Sequence, residues 1–119
     1  MDISPEKKHL HAEWRELTAK LEEIVGKKPK DLNAVLFMIG VQELGRGPLN
    51  YSKEEKQDLM HIAICRIFEP EGYYELIGID PDGWPHYEVK KVLPYSNIVE
   101  QVSFIRERIL NYFKSEGVI

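Results

Sequence analysis

The 119-residue chain is expected to form a mainly α domain. The expected shape is a four-helix antiparallel bundle-like domain with a small β-hairpin between helices three and four. Three observations lead there. Apolar residues recur at steps of three and four near both ends of the chain, the period of a helix with one buried stripe. Between Asp31 and Phe68 lie two stretches that are apolar almost all round, as buried helices are. From Tyr73 to Val92 the composition turns to strand formers around one turn sequence.

The first helix starts at Ser4-Pro5, a cap followed by a proline where no hydrogen bond is lost. Leu10, Trp14, Leu17, Leu21 and Ile24 make its stripe, and Gly26 stops it. Lys27-Lys28-Pro29-Lys30 reads as a solvated basic connector.

Asp31 caps the second helix. Leu32, Val35, Leu36 and Ile39 form one face, and Phe37, Val41 and Leu44 another. Gly40 costs about 1 kcal/mol relative to Ala inside a helix, so close approach of a neighbouring helix is the expected reason for it. After Gly45 and a loop to Tyr51, Ser52-Lys53-Glu54-Glu55 is a capping box in which each end satisfies a free N–H of the other. The third helix then runs to about Phe68, and Pro70 forbids its continuation.

Tyr73 to Ile79 is the first expected strand. Asp80-Pro81-Asp82-Gly83 places Pro and Gly where a type I turn and a left-handed residue want them. Trp84 to Val92 returns, with Pro85 restricting pairing to one side. A lone two-stranded hairpin is marginal in water, so it must pack on the helices or pair with another chain. Pro94 precedes the last helix, capped near Ser96 or Asn97, with Glu100 placed to close a second box. Its expected buried stripe is Ile98, Val102, Ile105, Ile109 and Phe113, and Gly117 ends it.

Length suits one domain, 1–119, with a core that needs no staples. Net charge is −4 with pI near 5.6, which argues against a nucleic-acid or anionic-membrane partner. The single cysteine, Cys65, excludes an intrachain disulfide. The N-terminal stretch lacks the apolar region of a secretory signal. The longest apolar run, Ala34 to Val41, is far short of the ~20 residues of a membrane span. A cytoplasmic protein is expected.

The runs Gly40-Val41-Gln42-Glu43-Leu44-Gly45, Lys56-Gln57-Asp58-Leu59-Met60-His61-Ile62-Ala63 and Asp82-Gly83-Trp84-Pro85-His86 resemble a small bacterial family of mostly helical proteins with no assigned activity. The resemblance spans most of the chain and implies no catalytic residue.

No phosphate loop, dinucleotide fingerprint, paired-histidine zinc helix, calcium loop or nucleophile elbow is present. The best polar cluster is on helix three, where Asp58, His61 and Cys65 share a face at steps of three and four. They are candidate metal ligands. Glu43, within an apolar face of helix two, is brought towards them by an antiparallel hairpin, and Glu43 with His61 is the candidate for general-base work. The competing structural reading is a surface Asp58–His61 hydrogen bond, a small core residue at Cys65 and a Glu43 that bonds a backbone N–H or meets Arg66. His9 and His11 lie two apart, do not face each other and read as solvated.

A second cluster, Tyr73, Tyr74, Trp84, His86 and Tyr87, falls on the hairpin. Such side chains line binding surfaces or pack a hairpin on a helical core. With Ile62 they are the candidate interface residues. Base stacking is disfavoured, because Lys90 and Lys91 face more carboxylates than cations nearby.

The expected function is a non-catalytic interaction or assembly protein, self-associating as a homodimer, with no cofactor, no nucleic acid and no membrane. The alternative is a metal-binding protein or small hydrolase-like enzyme built on the Glu/Asp/His/Cys cluster. A small-molecule pocket between helices is a third option.

Overall fold

The structure, a computed structural model, describes residues 5–94 and 97–119. The expected caps Ser4 and Ser96 lie outside the described residues. The elements in order are α1 (Pro5–Val25), α2 (Leu32–Leu44), α3 (Lys53–Phe68), β1 (Tyr74–Ile79), β2 (Pro85–Val89) and α4 (Ile98–Ser115). The molecule is mainly helical with one two-stranded antiparallel hairpin. No helix among the described residues is long and apolar enough to cross a membrane.

The chain divides into two compact units: α1 with α4, and the stretch Asp31–Pro94. In the first unit, Leu17 and Leu21 of α1 are buried, as are Ile105, Ile109 and Phe113 of α4. Lys114 reaches across to Glu13, which also meets His9 at 3.0 Å. Asn97 caps α4 by accepting the Glu100 N–H at 2.9 Å. Ile98 departs from expectation. It is 74% exposed, because it opens the helix a full two turns before the buried stretch begins at Ile105.

The second unit is built on α2 and α3. Asp31 Oδ1 accepts the Ala34 N–H at 2.9 Å, and Gly45 closes α2 in the left-handed conformation that its φ of 77° requires. In the capping box, Ser52 N–H donates to Glu55 at 2.8 Å and Glu55 N–H donates to Ser52 Oγ at 3.1 Å. α2 and α3 approach closely at Gly40, where an added Cβ would collide with the Leu59 backbone. Leu44, Tyr51, Leu59 and Ile62 form a cluster on which Phe37, Val41, Trp84 and Tyr87 pack.

The hairpin pairs Tyr74 with Val89, Leu76 with Tyr87 and Ile79 with Pro85, with a bulge between Leu76 and Gly78. The Gly83 N–H donates to the Asp80 carbonyl at 2.9 Å, which closes the turn. The hairpin packs on α3 through aromatic edges: Tyr73 meets Phe68 at 5.9 Å between centroids, and Tyr74 meets His61 at 6.4 Å.

Candidate functional site: a cleft between helix α3 and the hairpin

One face of α3 and the turn end of the hairpin enclose a cleft of about 550 Å³. The helix contributes Glu55, Asp58, His61, Ile62 and Cys65. These positions recur at helical spacing, so a single face presents them all. The hairpin contributes Asp80, Trp84, Pro85, His86 and Tyr87. The two clusters that the sequence sets far apart therefore form opposite walls of one cleft.

On the helix wall, Cys65 Sγ lies 3.6 Å from His61 Nε2. His61 itself is exposed, whereas Cys65 is buried. Burial pushes the Cys65 thiol up to about 11. At neutral pH it is a protonated thiol, and the thiolate that attacks or ligates is scarce. Asp58 stands exposed at the rim.

On the hairpin wall, Asp80 organises the turn. Its Oδ1 accepts the N–H groups of Asp82 at 2.9 Å and Trp84 at 3.0 Å. Its Oδ2 lies 2.9 Å from His86 Nε2. The hydrogen bond from His86, then that from the Trp84 N–H, holds the Asp80 carboxyl below its usual range. Trp84 and Tyr87 turn inward onto the cluster of Leu44, Tyr51, Leu59 and Ile62. Burial, with the Glu69 and Glu43 carboxylates beside it, raises the Tyr87 phenol to about 12.

Glu43 does not line this cleft. It meets Arg66 at 3.2 Å, and Arg66 also reaches Glu69 at 3.7 Å. An antiparallel stack anchored at Gly40 and Leu59 would carry Glu43 towards the start of α3, next to Asp58. The observed contact falls on the other side of Leu59, so Glu43 and His61 are not brought together. Asp58, His61 and Cys65 share a face and Cys65 meets His61, but no group of three His, Cys, Asp or Glu able to hold a metal ion occurs among the described residues. Ile62 is buried within its own unit, 5% exposed. Tyr73 is half-buried, edge-on to Phe68 with Lys91 Nζ 4.6 Å above its ring.

Asp80 is the residue that sequence reasoning undervalued. It reads as a turn residue, yet the same carboxylate orients His86. The available signal is an Asp that opens a tight turn with a His six residues on, where the returning strand brings the two side by side.

No protein-family model, no curated protein and no solved structure matches this chain.

Proposed function

We propose that this protein is a non-catalytic interaction protein that self-associates as a homodimer through its β-hairpin. The observation that carries the reading is the exposure of Ile77 (62%), Ile79 (66%) and Val89 (64%) on a sheet of only two strands. Leu76 is partly uncovered as well, and Val92 follows just beyond β2. Apolar side chains exposed in this number on so small a sheet are costly to leave in water and mark interaction sites. A two-stranded sheet also presents unpaired N–H and C=O groups along its outer edges, a template for another strand. Tyr74 and Tyr87 are spent on the hairpin's own helix and core, whereas their cross-strand partners Val89 and Leu76 stay exposed. The self-complementary solution is a twofold pair in which the same patch meets itself, burying on the order of 2,000 Å² if obligate. Such a protein needs no cofactor. Its net charge of −4 does not suit a nucleic-acid partner, and its free, buried Cys65 suits a reducing compartment such as the cytoplasm.

Sedimentation equilibrium at micromolar concentration tests this. A mass near twice 13.9 kDa is expected for the wild type, with Ile79→Lys shifting the protein to monomer. A wild type that stays monomeric at all concentrations rejects the reading.

A second reading, a metal-binding or hydrolase-like site, is supported by the cleft beside His61. Thermal melting with and without zinc decides its metal version. A stabilisation lost in His61→Ala supports it, and indifference to zinc removes it.

A further inference from the structure

The two-stranded sheet has two outer edges, and they are not equivalent. β1 carries the bulge between Leu76 and Gly78, which breaks the regular spacing that a further strand needs. β2 contributes one residue at each step of the ladder, so its outer edge is regular. The Lys90 N–H donates to the Tyr73 carbonyl at 2.8 Å. Backbone groups alternate in direction along an antiparallel strand. Glu88 and Lys90 therefore turn their N–H groups towards β1, and the N–H and C=O groups of Tyr87 and Val89 point outward. Pro85 has the same outward parity, where its missing N–H costs the hairpin nothing.

Glu88, Val89 and Lys90 are all exposed. Within the hairpin Glu88 stands directly opposite Glu75, an unfavourable like-charge pair. One ammonium serves both carboxylates, because Lys90 Nζ lies 3.2 Å from each. The order acid, apolar, base along this edge is complementary to itself read backwards. An antiparallel copy centred on Val89 sets Glu88 against the partner's Lys90 and Lys90 against the partner's Glu88.

We propose that the homodimer forms by antiparallel pairing of β2, extended through Lys91, with the same strand of a second copy, centred on Val89, to give one continuous four-stranded sheet. This names the seam of the self-association proposed above and rests on it. Val89 exchanges backbone hydrogen bonds with the partner's Val89, and Tyr87 with the partner's Lys91. Glu88 and Lys90 fall at the alternate positions, where facing side chains come closest. Each Glu88 thereby gains an ammonium directly opposite it instead of sharing one with Glu75. A foreign strand would need this charge order in reverse, whereas a second copy supplies it by symmetry. Four strands also remove the marginal stability of a lone hairpin. Ile79 pairs with Pro85 and flanks the end of the seam where the partner's Val92 arrives, so Ile79→Lys acts at the rim of the same interface.

Sedimentation equilibrium of full-length charge variants tests the seam. Glu88→Lys and Lys90→Glu are each expected to raise the dimer dissociation constant roughly tenfold or more, since twofold symmetry turns two attractive pairs into two repulsive ones. Mixed in equal amounts, the two variants are expected to regain dimerisation as a heterodimer, because every facing pair is again oppositely charged. Val89→Cys is expected to give a disulfide-linked dimer under mild oxidation. Facing Cα atoms of a hydrogen-bonded pair stand ~5.5 Å apart, within disulfide reach, and the buried Cys65 does not compete. That readout stands even if a charge variant fails to fold. A wild type that is monomeric overturns the seam together with the dimer reading. A wild-type dimer weakened by Ile79→Lys but unmoved by the charge variants keeps self-association and overturns the seam. So does a mixture that stays monomeric, or a Val89→Cys dimer that does not cross-link.

Discussion

Gly40 of α2 lies against the backbone of Leu59 in α3, so close that a Cβ on Gly40 would stand 2.9 Å from Leu59 Cβ and nearer still to its carbonyl group. Both residues are fully within the core. The obstacle is helix backbone, which cannot swing aside as a side chain does.

Gly40→Ala is therefore expected to destabilise the protein although Ala is the better helix former. The propensity gain is about 1 kcal/mol. Overpacking against rigid backbone costs about 3 kcal/mol or more, the top of the usual range. The net loss, about 2 kcal/mol, is measurable by urea denaturation, and a neutral or stabilised variant would contradict the close contact.

Cys65 is expected to be inert in the folded protein. Burial raises its thiol from an ordinary 9.0 to about 11, so a thiol-specific disulfide reagent at pH 7 should react only after denaturant is added. The same shift has a stability consequence. The unfolded chain ionises this thiol near 9 and the folded one only near 11. The stabilisation is complete below the lower value and is lost as pH rises through the higher one. Wild type should lose stability across that alkaline window more steeply than Cys65→Ala, with Tyr87, raised to about 12, extending the loss further.

His86→Ala is expected to let the Asp80 carboxyl titrate closer to its ordinary value, as read by carboxyl-carbon NMR. The wild-type carboxyl is depressed first by its hydrogen bond with His86. Its contribution is present above the unfolded value and disappears as pH falls through the lower folded one. Asp80→Ala removes the acceptor for the Asp82 and Trp84 N–H groups as well, so it should disturb the turn where His86→Ala leaves it intact.

The pair Glu43–Arg66 is expected to couple. Both side chains are largely covered, and they meet at 3.2 Å. A double-mutant cycle with Glu43→Gln and Arg66→Met should return a coupling of about 1 kcal/mol, the upper end for partly exposed pairs. A cycle of Glu43→Gln with His61→Ala should return none, because the two do not meet.

Ser52→Ala is expected to cost about 1 kcal/mol, the usual worth of an N-cap. It leaves the Glu55 N–H without its acceptor, and the loss should appear in the same denaturation measurement.

The features legible from sequence are those whose cause lies within a few residues. Asp31, Ser52 and Asn97 cap helices because an acceptor three positions before an N–H needs only the helix itself to place it. Gly45 and Gly83 stop and turn the chain because the local backbone demands a positive φ. Even Gly40 belongs here, since a residue that weakens its own helix signals that something must come close.

Tertiary structure alone decided the rest. Glu43 lies on an apolar face whose partner depends on the direction in which α2 crosses α3, and that direction assigns it Arg66 instead of His61. Ile98 follows the buried period of α4, yet it stands 74% exposed, so periodicity overstates its burial. The helix cluster of Asp58, His61 and Cys65 and the hairpin cluster of Trp84, His86 and Tyr87 are separated by about twenty residues of chain. Only the packing of Tyr73, Tyr74, Trp84 and Tyr87 onto α3 and its neighbours makes them two walls of one cleft. Local hydrogen-bonding needs are written residue by residue, whereas crossing angles and coverage emerge from the summed fit of many side chains.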